Sequence, residues 1–253
     1  MAMTARFKAD QYSGSSMMRL AGSIILGTLP VAEAAAEIGY FSEAIVSSSV
    51  IDRGEQIGGP SLEIAIGADV AVGAGEVYAA VYRLTPFGQD QEAFADEFDY
   101  TVGYAWEGEG YAADVSANWL TYPGIGDEPS LELAGEIGFD APLNPTLAGF
   151  YDAEFEDYGL EVTAGPEWDA GNWTSYLIGR LGFVEPGDGS ETRSYGGVEI
   201  GTLRPVGDRA EIGGFARFEV ANQDSFADRI ENGQIVDVTD SGLAVGAFIV
   251  ASF

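Results

Sequence analysis

From residue 41 to the C-terminus the chain consists of segments of about ten residues in which apolar and polar positions alternate. A period of two marks strands whose two faces meet different surroundings. The pattern is clearest over 97–106, where Phe98, Tyr100, Val102, Tyr104 and Trp106 share one face and Glu97, Asp99, Thr101, Gly103 and Ala105 share the other. Leu62, Ile64, Ile66, Ala68, Val70 and Val72 alternate in the same way with Glu63, Ala65, Gly67, Asp69 and Ala71. Segments 111–119, 131–140 and 158–167 repeat it, and weaker versions run through 41–52, 76–84, 146–154, 173–184, 194–203 and 210–220. A last strand is predicted over 242–253. The total is about twelve, an even number of the kind that bacterial single-chain barrels have.

The connections alternate too. Short ones at 73–75, 107–110, 140–144, 169–172 and 204–209 are interleaved with mostly longer ones at 53–60, 85–96, 123–130, 185–191 and 221–240, the short 154–157 link being the exception. This is the arrangement of an up-and-down barrel with turns at one end and loops at the other. Residues 1–36 read differently. Met17-Met18-Arg19, an apolar run over 20–29, Pro30 and the small residues around Ala34-Ala35-Ala36 together predict a secretory signal peptide with an N-terminal extension. The apolar run is too short to span a bilayer as a helix. The expected mature domain is 37–253, with its turns in the periplasm and its loops outside the cell.

A secreted β-sandwich would alternate as well, because one of its faces packs on a core. Its polar face would be open to water and tolerant of bulky side chains, whereas here that face is mostly Gly, Ala, Ser, Asp and Glu, which suits the concave interior of a closed barrel. Aromatics at Trp106, Trp119, Tyr122, Trp168, Trp173 and Phe183 fall near segment ends, where interfacial girdles are expected. Leu243, Val245, Ala247, Ile249, Ala251 and Phe253 form a C-terminal pattern resembling the signature that outer-membrane barrels present to the barrel assembly machinery, with Phe253 as the assembly signal. The fold class expected is all-β: an antiparallel, up-and-down transmembrane β-barrel in the outer membrane of a Gram-negative cell, in contact with outer-membrane lipid.

Composition narrows the chemistry. With 41 acidic against 11 basic residues the formal charge is −30, which repels nucleic acid phosphates. The chain has no Cys and no His, so thiolate nucleophiles, zinc-thiolate clusters and His-based triads are excluded, and no enzyme activity is expected. The acidic loops match no EF-hand spacing, so neither a metal site nor a cofactor is expected.

Function then rests on inward-facing charges, assigned by strand parity. The acidic candidates for lining a pore are Glu63, Asp69, Glu97, Asp99, Asp114, Glu132, Glu136, Asp152, Glu161 and Glu199, and the basic ones are Arg53, Arg83, Arg180 and Arg217. Carboxylates in a narrow, low-dielectric channel enrich cations. The expectation is a porin-like channel for small solutes or ions with a preference for cations. The alternative is a non-conducting barrel for binding, adhesion or envelope structure, in which the arginines neutralise acids in a packed interior.

Two short motifs add a family resemblance. Val46-Ser47-Ser48-Ser49-Val50-Ile51-Asp52-Arg53-Gly54 resembles the early strand ending in Arg-Gly of the TorF-like porins, and Trp119-Leu120-Thr121-Tyr122-Pro123-Gly124 resembles their mid-chain Tyr-Pro-Gly element. In order and spacing the resemblance extends over residues 37–253, and it implies an outer-membrane channel.

Overall fold

A computed structural model describes residues 38–88, 91–123 and 129–253. The expected signal segment lies outside these residues. Seventeen strands are described: β1 (Ile38–Ser47), β2 (Val50–Asp52), β3 (Glu55–Gly58), β4 (Ser61–Val72), β5 (Gly75–Pro86), β6 (Glu97–Gly108), β7 (Tyr111–Thr121), β8 (Ser130–Phe139), β9 (Thr146–Asp152), β10 (Tyr158–Ala164), β11 (Glu167–Ala170), β12 (Trp173–Glu185), β13 (Arg193–Val206), β14 (Ala210–Ala221), β15 (Phe226–Glu231), β16 (Gln234–Thr239) and β17 (Ser241–Ser252). Twelve of them form one closed antiparallel ring in the order β1, β4, β5, β6, β7, β8, β9, β10, β12, β13, β14, β17. The seam pairs the first strand with the last, from Phe41 opposite Ser252 to Ser47 opposite Gly246. Tyr40 and Phe253 extend it by exchanging backbone hydrogen bonds at 3.3 and 2.8 Å. Closure leaves no row of unpaired N–H and C=O groups, the condition for a sheet to sit in lipid.

The outer wall is apolar. Val102, Leu181 and Leu243 are 59, 71 and 60% exposed, values that a soluble protein would not tolerate over a continuous belt. Aromatic rings border the belt at both ends. Phe98 and Tyr100 lie 5.0 Å apart and Tyr158 meets Phe183 edge-on at 6.4 Å on the loop side, while Tyr104 stacks on Trp106 at 5.6 Å on the turn side. There Arg204 also rests over the Trp173 ring at 4.9 Å. Such rings sit at headgroup level, with an apolar body in the membrane and a polar edge in water.

The inner wall departs from the expectation of small residues. Phe41, Tyr78, Tyr176, Tyr195, Phe215 and Phe248 all point inward and are buried. Each lies over the glycine directly across from it on the neighbouring strand: Gly67, Gly103, Gly201, Gly182, Gly246 and Gly213 in turn. The glycines are therefore the floor on which the rings lie, and the interior has two apolar clusters. One joins Ile45, Ile51, Tyr176, Ile178, Leu203, Phe215 and Phe248, and the other joins Phe41, Val50, Tyr78, Tyr82 and Leu84.

This close approach is testable. A Cβ at Gly103 would fall 2.3 Å from the Tyr78 ring and one at Gly201 2.2 Å from the Tyr176 ring, whereas at the outward-facing Gly135 the nearest atom is 3.6 Å away. Gly103→Ala and Gly201→Ala are expected to destabilise the refolded barrel by about 1–3 kcal/mol through overpacking. Gly135→Ala should be neutral. The temperature at which the folded band is lost on unboiled gels reads the difference.

Candidate functional site: a hairpin folded into the barrel

The first loop does not stand outside the barrel. The pattern over 41–52 predicts one continuous strand followed by an extracellular connection over 53–60. Instead β1 stops at Ser47, and β2 and β3 form a hairpin whose turn is Arg53-Gly54. Both turn residues have positive φ, 49° and 75°, the requirement of a type I′ hairpin, which glycine meets without strain. Val50 and Ile51 are 2% exposed because the hairpin packs inside the lumen, one residue on each of the two apolar clusters.

The turn is tied to nearly opposite walls. On one side the Arg53 guanidinium donates to Glu132 of β8 at 2.6 Å and covers the Phe150 ring of β9 at 3.5 Å. On the other, the Gly54 amide donates to Glu219 of β14 at 3.2 Å, and Arg217 donates to the carbonyl of Ile51 at 3.1 Å. Arg193 of β13 donates to the carbonyl of Arg53 at 3.0 Å and pairs with Glu55 at 2.8 Å. From above, Ser225 Oγ donates to the carbonyl of Gly54 at 2.6 Å, which links the hairpin to the segment leading into β15.

Beneath the hairpin lies a layer of buried charge. Arg217 Nε donates to Glu199 at 2.6 Å, and Tyr176 Oη donates to the other oxygen of the same carboxylate at 2.9 Å. Arg180 lies 3.4 Å from Glu199, 3.4 Å from Glu219 and 4.0 Å from Glu161. Smaller pairs line the rest of the wall. Tyr78 donates to Asp114 at 3.0 Å, Tyr82 to Glu63 at 2.9 Å and Asn118 to Glu132 at 3.3 Å. Glu136 stands opposite Asp114 in the register between β7 and β8, and Asp69 lies against Gly39 near the turn end.

Between the hairpin and the wall formed by β5 to β9 remains a cavity of about 470 Å³ at the loop end. Six carboxylates border it: Asp52, Glu55, Glu97, Glu132, Asp152 and Asp157, together with Arg53, Arg193 and an apolar and aromatic lining that includes Leu84, Phe94, Leu120, Tyr122 and Phe150. Asp152 caps its own loop by accepting the amides of Glu154 and Phe155 at 2.9 and 3.0 Å.

Of the residues singled out by parity, Glu63, Asp69, Glu97, Asp99, Asp114, Glu132, Glu136, Asp152, Glu161, Arg180, Glu199 and Arg217 face the interior, and Arg53 reaches it from the hairpin. Arg83 does not. It follows the outward parity of Val77, Ala79 and Val81, and its partners are Asp96 and Thr85 near the loop end of β5. The reason is physical: β5 carries apolar residues on both faces, so alternation alone could not orient it, and an arginine at the edge of the belt can snorkel to the headgroups. Sequence reasoning also passed over Glu219, which shares the inward parity of Arg217 two residues earlier, and the inward Glu43, Asn118 and four tyrosines.

A closed antiparallel barrel with an apolar belt, aromatic girdles and a charged interior defines a transmembrane β-barrel of the outer-membrane type, and the outer membrane is its place. No family model matches the chain and no curated protein does. Among solved structures, a membrane protein from work on in-meso crystallization is 8% identical, with a TM-score of 0.53 over 85% of this chain and 84% of that one. An outer membrane channel from Pseudomonas putida F1 is 8% identical over 89% of this chain and 97% of that one, with a TM-score of 0.47. The outer membrane protein Omp33 of Acinetobacter baumannii is 11% identical over 86% and 98%, with a TM-score of 0.39. At 8% identity the first of these likenesses is one of fold.

Removing Arg217 takes from Glu199, 0% exposed, the guanidinium at 2.6 Å and leaves Arg180 as the arginine shared by Glu199 and Glu219. Arg217→Ala is expected to cost about 3–5 kcal/mol, as breaking a buried pair does. Adding Glu199→Gln should recover part of that loss. Urea unfolding of the refolded barrel, followed by tryptophan fluorescence, checks both.

Proposed function

We propose that the protein is a porin-like channel of the outer membrane whose passage is narrowed by the β2–β3 hairpin and whose mouth prefers cations. The observation that carries this reading is the placement of the hairpin: it crosses the lumen and leaves an acidic cavity open on one side of it. A ring of about twelve strands is wider than the eight-strand barrels that side chains alone fill, so a packed interior here needs an extra element, and the hairpin supplies it. The resemblance of 46–54 to the Arg-Gly element of the TorF-like porins supports the same reading, because those residues make the hairpin and its turn.

The extent of interior packing favours a second reading, a barrel that does not conduct and serves binding or envelope structure. Planar bilayer recordings separate the two. The refolded wild-type chain is expected to show small unitary currents, and replacement of 50–58 by a short Gly-Ser link should raise them severalfold. Reversal potentials should show cations preferred over anions, with the preference shrinking as salt rises and screening shortens the reach of the fixed charge. Silence of both the wild type and the hairpin replacement would establish the non-conducting barrel instead.

A further inference from the structure

Nearly every acid that faces the interior has a protein partner: Glu132 has Arg53, Glu199 has Arg180 and Arg217, Glu219 has Arg180 and the Gly54 amide, Asp114 has Tyr78 and Glu63 has Tyr82. Glu97 and Asp99 are different. They project from β6 on the same face, two residues apart, and both carboxylate oxygens of Asp99 are buried without a hydrogen-bond partner. Among the described residues no arginine forms an ion pair with either. Asp99 is 0% exposed, and Glu97 borders the cavity at the loop end. A buried carboxyl with no partner, beside a second carboxyl on the same strand face, needs a proton or a cation near it.

The surroundings define the kind of cation. Across the register Glu97 faces Leu84 of β5, and Asp99 lies between Tyr82 of β5 and Leu120 of β7. Leu84, Leu120, Tyr122 and Phe150 also line the cavity, so Glu97 sits beside an apolar and aromatic stretch of its wall, with Asp99 buried next to it on the strand. A volume of about 470 Å³ is that of a small-molecule site. A metal ion needs more converging oxygens, and among the described residues no group of three or more acids is placed to hold one. Arg53 and Arg193 border the same space, but both are engaged by Glu132 and Glu55 and leave the excess of negative charge in place.

We propose that this cavity binds a small organic cation, an ammonium or guanidinium on a short apolar or aromatic stem, with the charged head on Glu97, the stem against Leu84, Leu120 and Tyr122, and the buried Asp99 adding its negative charge from behind the cavity wall. The proposal deepens the channel reading by naming the solute class, and it can be tested without conduction. Isothermal titration calorimetry on the refolded barrel in detergent compares benzylammonium with benzoate, which has a similar stem and the opposite charge, and with magnesium chloride. Benzylammonium should bind, benzoate should not, and equimolar magnesium should not displace it. Glu97→Gln and the double variant Glu97→Gln/Asp99→Asn should weaken binding by about tenfold or more, the scale of a lost charge-assisted hydrogen bond. Glu97→Asp should keep most of it.

Retention of the folded band on unboiled gels shows that each variant is a barrel, and if the double variant fails this check the Glu97→Gln measurement decides. Equal affinity for benzoate, unchanged affinity in Glu97→Gln, or full displacement by magnesium would overturn the site. In bilayers, binding without current upholds the site and removes the channel, whereas current without binding upholds the channel and removes the site.

Discussion

The closure of β1 on β17 is the constraint on which the rest of the molecule depends. Hydrocarbon offers no partner to a peptide group, so a sheet in a membrane must end where it began. The pairing from Phe41–Ser252 to Ser47–Gly246 does this, and it fixes the circumference at twelve strands. Circumference in turn fixes the lumen, which a wall of side chains cannot fill unaided at this strand number. The inward hairpin, the rings laid over glycines and the buried ion pairs are three answers to the space that closure creates.

Those answers are interdependent. Each inward ring takes up room on its own strand and removes it from the next, where only hydrogen fits. Glycine is costly in a strand because it packs nothing and has more freedom to lose. Here that cost is offset by the ring it accommodates, which is why a chain of 253 residues with 35 glycines can still build regular strands. The rings also bring hydroxyl groups to buried carboxylates, as Tyr176 does for Glu199 and Tyr78 for Asp114. An interior with so few arginines thus pairs most of its acids by sharing cations and recruiting phenols.

Much of this was legible in the sequence because lipid demands a strict period of two. Strand number, the two loop sets and the inward parity of residues such as Asp99, Glu136 and Glu199 follow from alternation alone. Legibility ended where alternation carried no sign. In β5, Val77 and Val81 face lipid while Tyr78 and Tyr82 face the lumen, so both faces read as apolar and the pattern points Arg83 inward although it faces out. In the first loop, Val50 and Ile51 prolong the apolar run of β1, and only the Arg53-Gly54 turn marks the break. A hairpin packed inside a barrel is apolar for the same reason as a strand packed against lipid, and local pattern does not distinguish the two.

The pairing of interior charge then explains where chemistry is left over. Arg180 and Arg217 serve Glu161, Glu199 and Glu219 together, and Arg53 and Arg193 are spent on fastening the hairpin to Glu132 and Glu55. Every arginine that faces the interior is therefore committed to holding the hairpin or the layer beneath it. With no lysine available in the described barrel, the acids of β6 can be compensated only by a proton or by something that enters from outside. The same scarcity of cations that makes the interior depend on shared arginines leaves Glu97 at the edge of the cavity at the mouth, with Asp99 buried beside it. Binding capacity in this barrel thus lies where the network that stabilises it stops.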